Sequence, residues 1–289
     1  MYAGNRRSRA SSLIVSIAIA CVAGLLLFGY GKAAGQGPLR PGNAAPADGA
    51  AGSSSPAAEI GRCAPARSVK EGRSNYFFGQ YANAGCTRAA PDDGRFQWTA
   101  GAGAVGFTSS ASGVAFSMTK KPRIHCAAAS GAGEYTGDSG VIVRFTFTNC
   151  ASGRFACHGS AQPPGVIVSS LLGGEVGLLN AAEGQVGVEL APINASEPDF
   201  ADFECPIPVQ LKGSVVGKIP NFDRMSTAIR FRFSVKNGVQ KYAGLEGHEP
   251  ALLTLTAGTG ENARTETAGL RMLAAENSEE AVEVRASSY

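Results

Sequence analysis

Residues 124–140, IHCAAASGAGEYTGDSG, place a His-Cys pair and a Gly-Asp-Ser-Gly stretch within one short span. Chemistry at Ser139 would need an imidazole base within hydrogen-bond reach, a carboxylate orienting that base, and amide donors for an oxyanion. The chain has 3 histidines, His125, His158 and His248. His125 and Ser139 are too close in sequence to be contributed by two separate barrels, and Val141 stands where the serine-protease pattern carries another glycine. The span therefore predicts a disulfide cysteine followed by a turn: Cys126 ends a strand, GAGEYTGDSG forms a loop or irregular hairpin, and Val141 opens the next strand.

Other constellations are weaker. His125-Cys126 and Cys157-His158 offer nitrogen and sulfur ligands, but neighbours in a strand point to opposite faces, and no C-x-x-C or H-x-x-x-H spacing accompanies them. The acidic run SEPDFADFE supplies Glu197, Asp199, Asp202 and Glu204, from which a calcium loop or a glycosidase pair can be imagined. Without ligand spacing it reads as a solvated loop. Asn194 heads an Asn-Ala-Ser glycosylation acceptor. Trp98 with Tyr76, Phe77, Phe78 and Tyr81 could form an aromatic carbohydrate platform, although burial in the core accounts for Trp98 and Phe96 more simply. No nucleotide-binding loop or Gly-x-Ser-x-Gly elbow is present. The residues thus assign no catalytic group, no metal site and no cofactor, and leave the ligand-binding residues unknown.

Compartment is better defined. Arg6, Arg7 and Arg9 precede an apolar run from Leu13 to Tyr30, at the lower edge of a membrane span. Residues 1–31 read as a signal peptide cleaved near Ala33 or Ala34, or as a retained anchor through residues 13–30 with its N-terminus in the cytoplasm. The chain carries a net charge of +3, to which Arg6, Arg7, Arg9 and Lys32 contribute four, leaving residues 36–289 at −1. That balance argues against a nucleic-acid partner. Apart from Cys21 in the apolar run there are six cysteines, Cys63, Cys86, Cys126, Cys150, Cys157 and Cys205. An even set outside the membrane predicts three disulfides; sequence alone does not choose among the fifteen connectivities, and the working guess is Cys63 with Cys86, Cys126 with Cys150 and Cys157 with Cys205.

The elements that must position these residues follow from periodicity. Residues 32–58 are Gly, Ala, Pro and Ser with almost no large apolar side chain, and read as a disordered linker. From residue 59 to 287 the pattern is period two. VRFTFTNC sets Val143, Phe145 and Phe147 against Arg144, Thr146 and Thr148, and AIRFRFSV sets Ile229, Phe231, Phe233 and Val235 against Arg230, Arg232 and Ser234. Asn237-Gly238 supplies the strongest hairpin signal. The expectation is an all-β domain, a sandwich or barrel of about ten to fourteen short antiparallel strands, with a helical turn or two near NFDRMST, where Met225 would cap one end.

GEYTG, FTFTNC, FACHGSAQPPGVIVSSLLGGEVGLL, FECPIPVQLKGSVVGKI and SEEAVEVRAS together resemble a group of uncharacterised secreted, Gly-rich, disulfide-containing all-β domain proteins of high-GC soil bacteria. The resemblance spans roughly residues 60–287. It implies an extracytoplasmic β domain with paired cysteines, and it carries no activity with it.

The expected function is a cell-envelope or surface binding or structural module without catalysis, for a polysaccharide or protein ligand. The alternatives are a glycosidase-like secreted hydrolase using Glu197, Asp199 or Glu204, and a lipid-carrying closed barrel with an apolar cavity.

Overall fold

The computed structural model describes residues 58–286 apart from 102, 120–122, 195 and 197. The expected apolar helix, its cleavage sites and nearly all of the linker lie outside these residues. Ala58, placed by composition at the end of the linker, is instead buried at the start of the first strand, Ala58–Pro65. Among the described residues no helix is long and apolar enough to cross a membrane.

The described chain is almost entirely antiparallel β. Eight strands pair in a closed circuit of ladders, in the order Val105–Met118, Ile124–Thr136, Gly140–Thr148, Leu172–Asn180, Gln185–Pro192, Val215–Lys218, Ser226–Phe233 and Arg264–Ala286, which returns to the first. The circuit is not a clean barrel. It narrows to two residue pairs between Val215–Lys218 and Ser226–Phe233, and Asp199–Cys205, Ile207–Gly213 and Leu253–Ala257 branch from it.

Several strands are longer than their sequence suggests. Arg264–Ala286 runs for 23 residues and pairs with four neighbours along its two edges, with register shifts inside its ladders to Val105–Met118 and Ser226–Phe233. Such irregularities bend a strand and let it change partners without ending. The span Ile124–Thr136 is likewise one strand of 13 residues. Cys126 therefore lies near its start rather than ending it, and GAGEYT belongs to the ladder rather than to a loop. Its glycines are there for proximity. A Cβ on Gly133 would meet Phe107 Cζ at 2.6 Å, and one on Gly131 would meet the Arg144 carbonyl at 2.8 Å. Composition reads such residues as turn formers, whereas here they admit an aromatic ring and a neighbouring backbone.

The inward faces fill one continuous core. Val143, Phe145 and Phe147 are buried while Arg144 is exposed, and Ile229, Phe231 and Phe233 are buried between exposed Arg230 and Arg232. Phe116 packs edge-on to Phe147 with ring centroids 5.2 Å apart. Asn237 and Gly238, at φ 53° and 86°, close the two-residue hairpin Val235–Lys236 to Val239–Gln240. The segment around Met225 forms a turn and bends, not a helical turn. Gly260–Asn262 is the helical element among the described residues, a single 3-10 turn.

Three disulfides join Cys63 to Cys86, Cys126 to Cys150 and Cys157 to Cys205. They fit an oxidising, extracytoplasmic compartment.

Candidate functional site

The two halves of the opening span lie at opposite ends of one extended strand. At ~3.3 Å per residue His125 and the turn bearing Ser139 are roughly 35 Å apart. The turn has a packing role: the Ser139 carbonyl accepts the Val176 amide at 2.8 Å, and the Asp138 carbonyl accepts that of Ile60. His125 is exposed and Cys126 buried, on opposite faces as strand geometry requires. Cys126 and Cys157 are both consumed by disulfides, and among the described residues no group of three His, Cys, Asp or Glu side chains is placed to hold a metal. His158 Nδ1 faces the Gly159 carbonyl at 3.3 Å, and exposed His248 meets Glu175 at 3.6 Å.

The acidic run is a strand, Asp199–Cys205, rather than the expected loop. Strict alternation would send Asp199 and Asp202 to opposite faces. An irregularity between Asp199 and Ala201 leaves Phe200 and Ala201 both buried and returns Asp202 to the outer face with Asp199. Both aspartates consequently line one open groove of about 410 Å³, together with Arg144, Gln162, Ser169 and Ser170. Glu204 faces an adjoining cleft of about 230 Å³ with His158, to which Asp202 also contributes. Glu197 lies outside the described residues.

Each wall of the groove has a covalent or hydrogen-bonded support. His158–Gly159 pairs with Phe203 and Glu204, and the Cys157–Cys205 bridge fixes this pair next to the groove. Ile167–Val168 pairs with Thr146 and Phe147, placing Ser169 beside the strand that carries Arg144. The buried Ser169 hydroxyl accepts the Phe145 amide at 2.9 Å and donates to the Ser170 carbonyl at 2.8 Å. The Ser170 hydroxyl donates to the Asp199 carbonyl. Asp199 lies 3.4 Å from Lys212, its cross-strand partner, which anchors that carboxylate.

The chain matches no family model, no curated protein and no solved structure.

The aromatic residues lie elsewhere: Tyr81, Phe96 and Trp98 on strands pairing among Ala58–Pro65, Gly79–Tyr81, Ala89–Gly94 and Phe96–Ala100, and Tyr76 and Phe77 on the separate hairpin Ser68–Glu71 to Ser74–Phe77, with Phe78 just after it. Phe96 and Trp98 are half-buried and outside the main core, contrary to the expectation that the core would take them. Trp98 covers Gly61, where a Cβ would collide with the indole ring, and the Arg285 guanidinium stacks 4.3 Å from the indole centroid. Tyr76 and Phe78 are exposed, at 52% and 63%, beside Phe77 and Arg95, which stack at 5.3 Å. These side chains do not form one platform: Trp98 is covered by Arg285, while Tyr76 and Phe78 face solvent.

Arg144, Gln162, Ser169 and Ser170 gave no signal in the sequence beyond that of outward-facing polar residues. They converge only through long-range pairing.

Proposed function

We propose that the domain is an extracytoplasmic, non-catalytic binding module that takes a hydroxyl-rich polymer, a polysaccharide, in the groove between Arg144 and Asp202. The observation that carries this reading is the composition of the groove. One guanidinium, two carboxylates, an amide and several hydroxyls line an open trough, with Asp199 already paired to Lys212. Donors and acceptors of both signs, with little net charge, match neutral hydroxyls, each of which both donates and accepts. An open trough on an outer sheet face admits a chain rather than enclosing a small molecule. The three disulfides support the extracytoplasmic placement, and residues 1–31 would either anchor the domain or be removed on export.

A glycosidase-like hydrolase is the second reading, favoured by the single fact that Asp199 and Asp202 share the groove. Affinity electrophoresis of the oxidised full-length protein in gels containing neutral polysaccharides, with a reducing-end assay on the same mixtures, separates the two. Retardation without new reducing ends is the expected result. Release of reducing ends that Asp202→Asn abolishes would replace the binding reading with the hydrolase, and absence of retardation by every polysaccharide would remove the groove as a glycan site.

A further inference from the structure

A second concave site lies on the outer face where three strands run side by side. Arg271 on Arg264–Ala286 is paired directly with Ala115 on Val105–Met118, and Ala115 is paired with His125 on Ile124–Thr136. Directly paired residues share a face of the sheet, so Arg271, Ala115 and His125 form one row across it. The outer two are about 10 Å apart at their backbones, two strand spacings. Ala115 between them is buried, and its methyl does not reach far enough to separate the two longer side chains. Arg123, two residues before His125, adds a second guanidinium, and all three cationic or ionisable groups are exposed.

The wall of this depression is the hairpin Val235–Gln240. A Cβ on Gly269 would meet the Gln240 amide nitrogen at 2.6 Å, and one on Gly238 would collide with the Met118 carbonyl. Glycine at both positions lets the hairpin press onto the sheet. The result is a cleft of about 470 Å³ lined by Ser117, Arg123, His125, Asn237, Gly238 and Arg271, with Met118, Thr119 and Val235 at its edges. Among the described residues no carboxylate lines it. Glu266, at the margin, accepts the Thr119 hydroxyl at 3.2 Å. Among the described residues neither Arg123 nor Arg271 is within ion-pair distance of an acid.

We propose that this cleft is an anion site for a dianionic phosphate group, carried by inorganic phosphate or by a phosphomonoester on a larger molecule. Two guanidiniums in one concavity repel each other and bring up to ten N–H donors and no acceptor, so an oxyanion is the complement they lack. A phosphate monoester, with charge near −2 and three terminal oxygens, can use both arginine forks and the imidazole at once, whereas a carboxylate uses one. The site is separate from the Arg144–Asp202 groove and does not depend on a glycan binding there.

Equilibrium dialysis of the oxidised full-length protein against radiolabelled inorganic phosphate, at fixed ionic strength, tests the assignment. One saturable site per chain is expected, weakened about tenfold or more by Arg271→Ala and by Arg123→Ala. Arg271→Lys should recover part of the loss, since it keeps the charge and removes the fork. Arg224→Ala, an exposed arginine outside the cleft, should leave binding unchanged. Circular dichroism of each variant establishes that the fold is intact. Competition by a phosphomonoester-bearing polysaccharide at lower concentration than inorganic phosphate would identify a polymer as the source, and the reverse order free phosphate. Absence of a saturable site, or binding that Arg271→Ala and Arg123→Ala leave intact, would overturn the proposal.

Discussion

Ser109 and Glu276 stand opposite each other on paired strands, both facing inward, and the Ser109 hydroxyl donates to Glu276 Oε1 at 2.9 Å. The second carboxyl oxygen has no protein partner among the described residues, and the buried Tyr135 hydroxyl is in the same condition. Burial pushes the Glu276 carboxyl up to about 8, against the smaller lowering effect of the Ser109 bond. Tyr135 is pushed upward too, by burial first and then by the Glu276 charge. Below about pH 8 the folded protein thus keeps a protonated carboxylic acid in its interior, beside the Ser109 hydroxyl.

Stability should therefore fall with rising pH over a defined window. Below about 4.5 the acid is protonated in both the folded and the unfolded chain. Between about 4.5 and about 8 the unfolded chain releases a proton that the folded protein retains, so unfolding becomes easier at each step. Above about 8 the loss is complete, up to about 5 kcal/mol for a shift of this size. Denaturant titrations from pH 4 to 9 on the native protein and on Glu276→Gln check this, because the amide keeps a hydrogen-bond acceptor for Ser109 and cannot ionise. A Glu276→Gln curve with the same slope as the native one would show that other groups govern the pH dependence.

Removing the Cys157–Cys205 bridge as a double serine variant should cost roughly 3–4 kcal/mol, by analogy with loops of similar length. The melting temperature under oxidising conditions reports the loss. Weaker retardation by polysaccharide would accompany it, since the bridge fixes one wall of the groove.

Gly133→Val should be strongly destabilising, because its side chain has no space between the Phe107 ring and the Ile142 carbonyl. The expected cost is at least about 1–3 kcal/mol by chemical denaturation. Gly61→Val should displace Trp98, the sole tryptophan, and so change the intrinsic fluorescence directly.

Within the groove, Arg144→Ala and Asp202→Asn should each reduce polysaccharide retardation, with Glu204→Gln having the smaller effect because Glu204 faces the adjoining cleft. Each lost hydrogen bond to a hydroxyl is worth about 1 kcal/mol, or several-fold in affinity. Equal effects at Asp202 and Glu204 would argue that the ligand spans both depressions.

What the sequence determined by itself was the class of structure and the chemistry available to it. Alternation at Val143, Phe145 and Phe147 and at Ile229, Phe231 and Phe233 reports a half-buried strand wherever it occurs, because side-chain direction has a period of two. Asn237-Gly238 likewise reports its hairpin through local φ preference alone. The small-residue stretches mislead for a physical reason. Gly131 and Gly133 have no side chain to show a period, and their role, making room for Phe107 and the neighbouring strand, exists only once those partners arrive. The tertiary structure alone decided that Asp199 and Asp202 share a groove, through an irregularity that reverses the parity of one strand. It alone aligned Arg271, Ala115 and His125 in a row, and it alone buried Glu276 opposite Ser109. Each of these is a register between segments distant in the chain, fixed by the packing of all the inward faces together rather than by any local stretch.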